Sequence, residues 1–213
     1  MSEYLVRPAV LSDAEFIARA VIEAEKSGSE VLSYSKVFNL SEEEIYSMFI
    51  KLLEEELDGC EFSVSSYLIA EKDQKPAATI GAWVENKNEP SSFVKSNLLG
   101  YYLPESSKTY AAREAKITSE LIIDHPSGVL SLVVAYTSPE HRGKGLFSLL
   151  ADAHLKRNPG VKEISLQVMA NNLPAISSYK KYGFSVSLVK KTDDKRIFNF
   201  LPYNEKYLMT KKL

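Results

Sequence analysis

The stretch VLSLVVAYTSPEHRGKGLFSLL, Val129 to Leu150, decides how the rest of the chain is read. Val129 to Tyr136 is rich in β-branched and apolar side chains and carries no charge, the pattern of a central strand covered on both faces. Pro139 ends it. From Leu146 onward Leu149, Leu150 and Ala153 recur at helical spacing, until Asn158-Pro159-Gly160 breaks the chain. Between strand and helix lies Arg142-Gly143-Lys144-Gly145. A glycine loop placed there collects free backbone N–H groups at the positive end of the helix dipole, which makes an anion seat. The two glycines lack Cβ atoms where a ligand must come close, and Arg142 and Lys144 add positive charge. The same four residues also fit a plain tight turn with its basic side chains in solvent, and a motif this short does not separate the two. Two other phosphate patterns fail: Lys144 is followed by Gly145 rather than the Ser or Thr of a P-loop, and Ser148 stands where a dinucleotide fingerprint needs its third glycine.

Working outward, Tyr4 to Arg7 reads as a short strand closed by Pro8. Ser12-Asp13-Ala14-Glu15 has the form of a capping box, and Phe16, Ile17, Ala20, Val21 and Ala24 carry a helix to Gly28. A second capping box, Ser41 to Glu44, starts a helix bearing Ile45, Met48, Phe49, Leu52 and Leu57, stopped at Gly59. Ser29 to Leu40 between them reads as a polar surface connection and a candidate wall of a binding site. Ser66 to Glu71 and Ala77 to Glu85 are strands of a hairpin around Lys72 to Pro76. In the irregular segment Asn86 to Ile123, Phe93 to Leu99 and Tyr110 to Ile117 are expected as helices, with Gly100 and Pro104 between them. Glu163 to Met169 is another central strand and Asn172 to Tyr182 a short helix stopped at Gly183. Phe184 to Lys190, Ile197 to Phe200 and Tyr207 to Thr210 are expected as closing strands. Alternating strands and helices without a repeat or linker predict one α/β domain over residues 1–213.

The composition of the 213 residues, 45% hydrophobic and 25% charged, is that of an ordinary globular chain. With 26 basic against 28 acidic residues the net charge is −2, so the basic excess that a nucleic-acid partner would need is missing. No apolar run approaches the roughly 20 residues that span a bilayer, and Met1 to Ala9 has no apolar stretch behind a basic start, so neither a membrane nor a secretory route is expected. Cys60 has no partner for a disulfide and reads as a small buried hydrophobe. His125, His141 and His154 are too scattered for a metal site, so no metal is expected. A reducing cytoplasm is the expected compartment.

The loop, read with its flanking strand and helix, resembles the acyl-CoA loop of the GNAT superfamily of N-acetyltransferases, whose form is Arg/Gln-x-x-Gly-x-Gly/Ala. Here it reads Arg142-Gly143-Lys144-Gly145-Leu146-Phe147, with Phe147 in place of the usual small residue. A second segment, Asn172 to Phe184, fits the family's Asn-x-x-Ala-x-x-x-Tyr-x-x-x-Gly-Phe without a gap through Asn172, Ala175, Tyr179, Gly183 and Phe184. The resemblance is strong over Val129 to Phe184, giving an acyl-CoA core at about residues 128–190. It is weaker around Leu5 to Asp13, and it leaves residues 86–123 as a variable insertion where acceptor specificity can be built. It implies a mixed, mostly antiparallel sheet splayed between its fourth and fifth strands, with helices on both faces.

By that resemblance Ala135, Tyr136 and Thr137 would meet the pantetheine arm, through the backbone of Ala135 and Thr137. The amides of Arg142, Gly143, Lys144, Gly145, Leu146, Phe147 and Ser148 would hold the pyrophosphate. Asn172 reads either as a helix N-cap or as a polar contact to the cofactor, and the two roles are compatible. Tyr179 lies seven residues on, close to two helical turns, and so shares a face with Asn172. It would be the general acid toward the departing thiolate, or else a packed core tyrosine like Tyr182. Glu85, Asp124, His125 and Glu163 are candidates for a base, though each reads more readily as an ordinary solvated group and none is nominated firmly. Tyr101, Tyr102 and Tyr110 could line an acceptor pocket.

The expected function is acetyl transfer from acetyl-CoA to a primary amine, of a small molecule or a protein, by direct attack. A non-catalytic acyl-CoA-binding or sensor domain and a protein-interaction module are the competing classes. Acetyl-CoA and the amine are the expected partners, and a homodimer is one assembly open to the chain.

Overall fold

Asp73 and Gln74 take φ of 52° and 61°, and two successive left-handed residues turn the chain back on itself in a two-residue hairpin. That turn joins β2 (Tyr67–Lys72) to β3 (Lys75–Val84) and is tighter than the loop expected at residues 72–76. In the computed structural model, which describes residues 4–55 and 57–213, these strands are part of a seven-stranded sheet. The others are β1 (Leu5–Pro8), β4 (Leu130–Thr137), β5 (Glu163–Met169), β6 (Ser185–Lys191) and β7 (Glu205–Lys212). Their spatial order is β1-β2-β3-β4-β5-β7-β6, antiparallel throughout except for the parallel pair β4–β5. The mixed α/β sheet expected from the sequence is therefore present.

Helices cover both faces. On one lie α1 (Ala14–Lys26), α2 (Ser33–Phe38), α3 (Glu42–Glu54) and α4 (Ser91–Tyr102), with α5 (Glu105–Thr118) against α2. Their apolar sides and the sheet residues Tyr67 and Ile69 close one core around Ile17, Val21, Ile45, Phe49, Leu52 and Leu98. On the other lie α6 (Leu146–Arg157) and α7 (Leu173–Tyr182), whose core joins Leu68, Ile80, Leu130 and Leu132 to Leu146, Leu150, Ile176 and Met209. The alternation of Tyr67 and Ile69 with Leu68 and Ala70 between the two cores is the two-residue period of a strand buried on both faces.

Local differences from the sequence reading have identifiable causes. The Ser41–Glu44 capping box forms: the Glu44 N–H donates to Ser41 Oγ at 3.2 Å and the Ser41 N–H to Glu44 Oε2 at 2.8 Å. The one expected at Ser12–Glu15 does not, because the Asp13 carboxylate takes over the corner. It accepts from Arg7 Nη1 at 2.7 Å, Arg7 Nη2 at 2.9 Å and the Val10 N–H at 2.9 Å, tying β1 to the start of α1. Residues 29–40 contain α2 rather than an open connection. Helix α3 ends at Glu54, so Leu57 lies beyond it and is 37% exposed. Residues 1–3 and 56, part of the segments read for a leader and for this helix, lie outside the described residues. Helix α4 runs through Gly100 instead of breaking there, while Pro104 does separate it from α5. Residues 197–200, expected as a strand, belong to a short 3₁₀ turn (Lys195–Asn199) and the residue after it, and Ile197 and Phe200 cap a small cluster with Ile117 and Leu121.

One polar contact fastens α6 to the sheet. His154 is buried at 2% exposure and its Nε2 lies 2.9 Å from the Ile80 carbonyl of β3. Burial lowers its pKa to about 4, outweighing the hydrogen bond to Ile80, and Arg157 adds to the lowering. A histidine depressed on folding takes up its proton more readily in the unfolded chain, where its pKa is about 6.5, so the folded state loses stability as pH falls from there toward 4. The expected loss is about 3 kcal/mol by the conversion of a pKa difference to free energy. Urea unfolding of wild type and His154→Gln at pH 7.5 and 4.5 checks it: the wild type should weaken across that interval clearly more than the variant.

Candidate active site

Strands β4 and β5 pair through Leu130 with Ile164 and Ser131 with Ser165, and the described ladder stops there. The two serine hydroxyls lie 3.3 Å apart at the last pair. Beyond it the strands part, and the β5-facing backbone of β4 from Leu132 to Thr137 has no strand beside it. Three residues on, β4 is bulged. Gly81 of β3 pairs with Val133 and Thr79 with Tyr136, so Ile80 alone opposes Val134 and Ala135. Val134 takes φ of 50°, a strained value for a β-branched residue. The close packing here also explains Gly81: a Cβ at that position would sit 2.9 Å from the Tyr67 ring and 3.0 Å from Val133 Cγ2.

At the mouth of this opening is the glycine loop. Gly143 and Gly145 have φ of 73° and 76°, left-handed values that favour glycine, and a Cβ at either would meet no atom within 4 Å. The amides of Gly143, Lys144 and Gly145 find no backbone carbonyl among the described residues. The first turn of α6, Leu146 to Ser148, adds its own unpaired donors to theirs. Arg142 and Lys144 fold back on the loop: Arg142 Nε donates to the Thr137 carbonyl at 3.3 Å and Lys144 Nζ to the Glu140 carbonyl at 2.9 Å. The result is a row of free N–H groups beside two cations, open to solvent and facing the unpaired edge of β4.

Phe147 turns its ring toward α7. It packs 4.9 Å from the Tyr179 ring, 5.5 Å from Tyr182 and 6.4 Å from Phe184 by ring centroids. Tyr179 is buried, and burial raises its pKa to about 12, so its hydroxyl stays protonated at neutral pH and can only donate a proton. No described side chain bonds that hydroxyl, whereas the Tyr182 hydroxyl is taken by Asp152. Asn172 caps α7, its Oδ1 accepting from the Ala175 N–H at 3.3 Å, while its Nδ2 donates to Ser27 Oγ at 3.3 Å. That bond ties the end of α1 to the start of α7 across the opening.

The residues nominated as bases do not gather. Glu85 is buried, and its carboxylate accepts from Trp83 Nε1 at 2.8 Å and from the N–H and hydroxyl of Ser91, both at 2.7 Å, which anchors the start of α4. Glu163 precedes the last β4–β5 pair and lies at the closed end of the seam. Asp124 is exposed. His125 is half-buried against Trp83, with its pKa lowered by burial and its Nδ1 unpartnered. Tyr101 and Tyr102 pack edge to face at 5.1 Å, but Tyr110 does not join them and the three line no common pocket among the described residues. Tyr101 is 81% exposed, Tyr102 lines a surface hollow of about 450 Å³ against α3, and Tyr110 packs on the Ile117 cluster. That hollow and a second of about 220 Å³ beside His154 and Arg157 both lie away from the loop. Cys60 is fully buried, and burial pushes its thiol up, as suits a small core residue. The groups missed by sequence reasoning are Glu25, Glu61, Lys95 and Lys206, whose charges act on one another on the α1 side of the opening, Lys95 and Glu61 as an ion pair at 3.0 Å. Glu25 had a legible signal, since it falls four residues after Val21 and seven after Ala18 on the buried stripe of α1.

Residues 34–184 match the model of the Acetyltransferase (GNAT) family, more than half of the chain. The chain belongs to that family. Among curated proteins no significant match was found. Of solved structures, an N-acetyltransferase from Staphylococcus aureus Mu50 is 20% identical, with 97% of this chain and all of that one covered and a TM-score of 0.68. A GNAT-family acetyltransferase from Streptococcus pneumoniae is 17% identical over 99% of both chains, with a TM-score of 0.52. The yncA protein of Salmonella typhimurium, solved with its cofactor acetyl-CoA, is 14% identical over all of this chain and 95% of its own, again at 0.52. At such identities the likeness is one of fold, and it is the GNAT fold that the open β4–β5 seam displays. The GNAT chain is an acyltransferase by family, and among its described residues no helix is long and apolar enough to cross a membrane.

The double role of Asn172 in this GNAT protein has a measurable weight. Asn172→Ala removes both the α7 cap and the link to Ser27, and it should cost about 1 kcal/mol of stability or somewhat more. Tyr179→Phe, which removes a hydroxyl that no described side chain uses, should cost less than about 0.5 kcal/mol. Chemical denaturation of the two variants side by side reads the difference.

Proposed function

We propose that the protein transfers an acetyl group from acetyl-CoA to a primary amine by direct attack within a ternary complex, without a covalent enzyme intermediate. The observation that carries this reading is the unpaired edge of β4 running straight into the free amides at residues 143–148. An extended pantetheine arm supplies the strand that β4 lacks, pairing with the backbone of Ala135 and Thr137 beside Tyr136. The loop amides receive the pyrophosphate, with Arg142 and Lys144 as nearby cations. Phe147 leaves that seat open because its ring goes to the aromatic cluster of α7. Asn172 keeps its cap and offers its remaining polar capacity to the arm. The acetyl-CoA bound by the Salmonella protein of the same fold is in keeping with this donor.

Tyr179 is assigned the proton that the departing CoA thiolate needs. A phenol held protonated by burial is matched to that task, and the Phe147 ring beside it limits the access of water. We read residues 1–213 as one domain, with residues 86–123 as an insertion on the acceptor side, and the cytoplasm as its compartment.

Gly145→Glu places a side chain in a left-handed position and a negative charge in the anion seat, so it should abolish acetyl-CoA binding in calorimetry while the circular dichroism spectrum is kept. Unchanged affinity would remove the loop assignment. Tyr179→Phe should lower turnover about 10²- to 10⁴-fold with acetyl-CoA affinity nearly unchanged. A loss below about threefold between pH 6 and 9 would withdraw the acid role.

A further inference from the structure

On the α1 side of the seam, ionisable groups from four separate elements form one cluster of interacting charges: Glu25 on α1, Glu61 in the loop before β2, Lys95 on α4 and Lys206 on β7. Two of them are already matched. Lys95 Nζ lies 3.0 Å from Glu61 Oε2, and the Tyr34 hydroxyl donates to the same carboxylate at 3.2 Å. Glu25 and Lys206 remain. Both are half-buried, and among the described residues neither has an opposite charge within ion-pair distance or a side-chain hydrogen bond. Burial and then the neighbouring Glu61 charge raise the Glu25 carboxyl, and burial lowers the Lys206 ammonium; of the opposite charges that act on each, the other is the strongest. Glu25 and Lys206 are thus near enough to act on one another without forming an ion pair.

The position of these two groups is informative. Lys206 pairs in register with Met169, the last residue of β5, where the opening from β4 is wide. Glu25 lies two residues before Ser27, which bonds Asn172 at the same mouth. One further polar atom at this mouth, Asn171 Oδ1 beside Asn172, is buried without a partner. Buried polar groups are ordinarily satisfied, so unpaired opposite charges beside an orphaned polar atom describe a site that a ligand completes.

We propose that this charge cluster binds an acceptor carrying both an ammonium and a carboxylate, an amino acid or short peptide, with Glu25 receiving the amine and Lys206 the carboxylate. The inference rests on the acetyl-transfer reading above and adds the acceptor class to it. Glu25 takes one proton from the ammonium and passes it to solvent. The freed amine forms the N–C bond as the C–S bond breaks, and the second proton lost from nitrogen balances the one Tyr179 gives to the thiolate. The sum is thioester plus ammonium to amide, thiol and one released proton.

The test measures release of CoA thiol by the whole protein with acetyl-CoA and the protein amino acids, their amides, and spermidine as a polyamine lacking a carboxylate. At least one free amino acid should be acetylated with kcat/KM about tenfold or more above its amide. Lys206→Met should erase that preference by raising KM for the free acid far more than for the amide, whatever it does to kcat on both through Glu25. Glu25→Gln should lower kcat about 100-fold on either form, with partial recovery in Glu25→Asp. Equal or better use of amides or spermidine, a preference that survives Lys206→Met, or acetyl-CoA binding in calorimetry with no turnover of any of these amines would each overturn the proposal while leaving the acetyl-CoA reading in place. Failure of the wild type to bind acetyl-CoA would instead remove that reading, and this one with it.

Discussion

The parallel ladder between β4 and β5 stops after Ser131 and Ser165, and the arrangement of the site follows from that point. A sheet whose inner strands are covered by helices has no water to satisfy free backbone groups, so an interrupted central ladder is costly unless something else fills it. Here the gap lies in the middle of the sheet, with the glycine loop at one end, the capped start of α7 on its far side and a cluster of charges on the α1 face. Val134 and Gly81 hold the gap in shape. The bulge at Val134 turns the β4 backbone, and the absence of a side chain on Gly81 lets Tyr67 and Val133 close behind it. A strained valine at such a place costs on the order of 1–3 kcal/mol, and the two packed cores on either side of the sheet hold it there.

Much of this was legible in the sequence because it lies in local pattern. The uncharged run before Arg142, the two glycines, the helical return at Leu146 and the Asn172–Phe184 segment mark the loop and put Tyr179 on a helix, and the opening between β4 and β5 is what the family resemblance of those segments implies. What stayed hidden depends on distant residues meeting. Nothing in Lys206, set between Glu205 and Tyr207, marks it as the counterpart of a glutamate on α1, since the meeting requires β7 to insert between β5 and β6. The Asp13 corner was read as a capping box because Arg7 is six residues away and its approach is a matter of tertiary structure. The bulge opposite Ile80 was invisible for a similar reason: Val133-Val134 reads as ordinary strand until the register with β3 is known.

Phe147 shows how a departure from a motif can be absorbed. A large residue at the second position of α6 would crowd an anion if its ring lay over the loop. It lies instead among Tyr179, Tyr182 and Phe184, where aromatic edges and faces meet at favourable separations. The same contact ties the loop's helix to the helix bearing Tyr179, so the two sides of the opening share one patch of aromatic packing.

The short β4–β5 seam also has a mechanical meaning. The half-sheet β1 to β4 and the half-sheet β5-β7-β6 are each laced by longer ladders, but they meet through two residue pairs. Bending along this line breaks fewer backbone hydrogen bonds than bending anywhere else in the sheet. The width of the opening is consequently governed by side chains that bridge it, the Ser27–Asn172 bond on one face and the aromatic cluster with the Tyr182–Asp152 bond on the other. In that respect the sheet is two laced plates joined by a narrow spine, and the side chains that bridge the spine are among those that line the site.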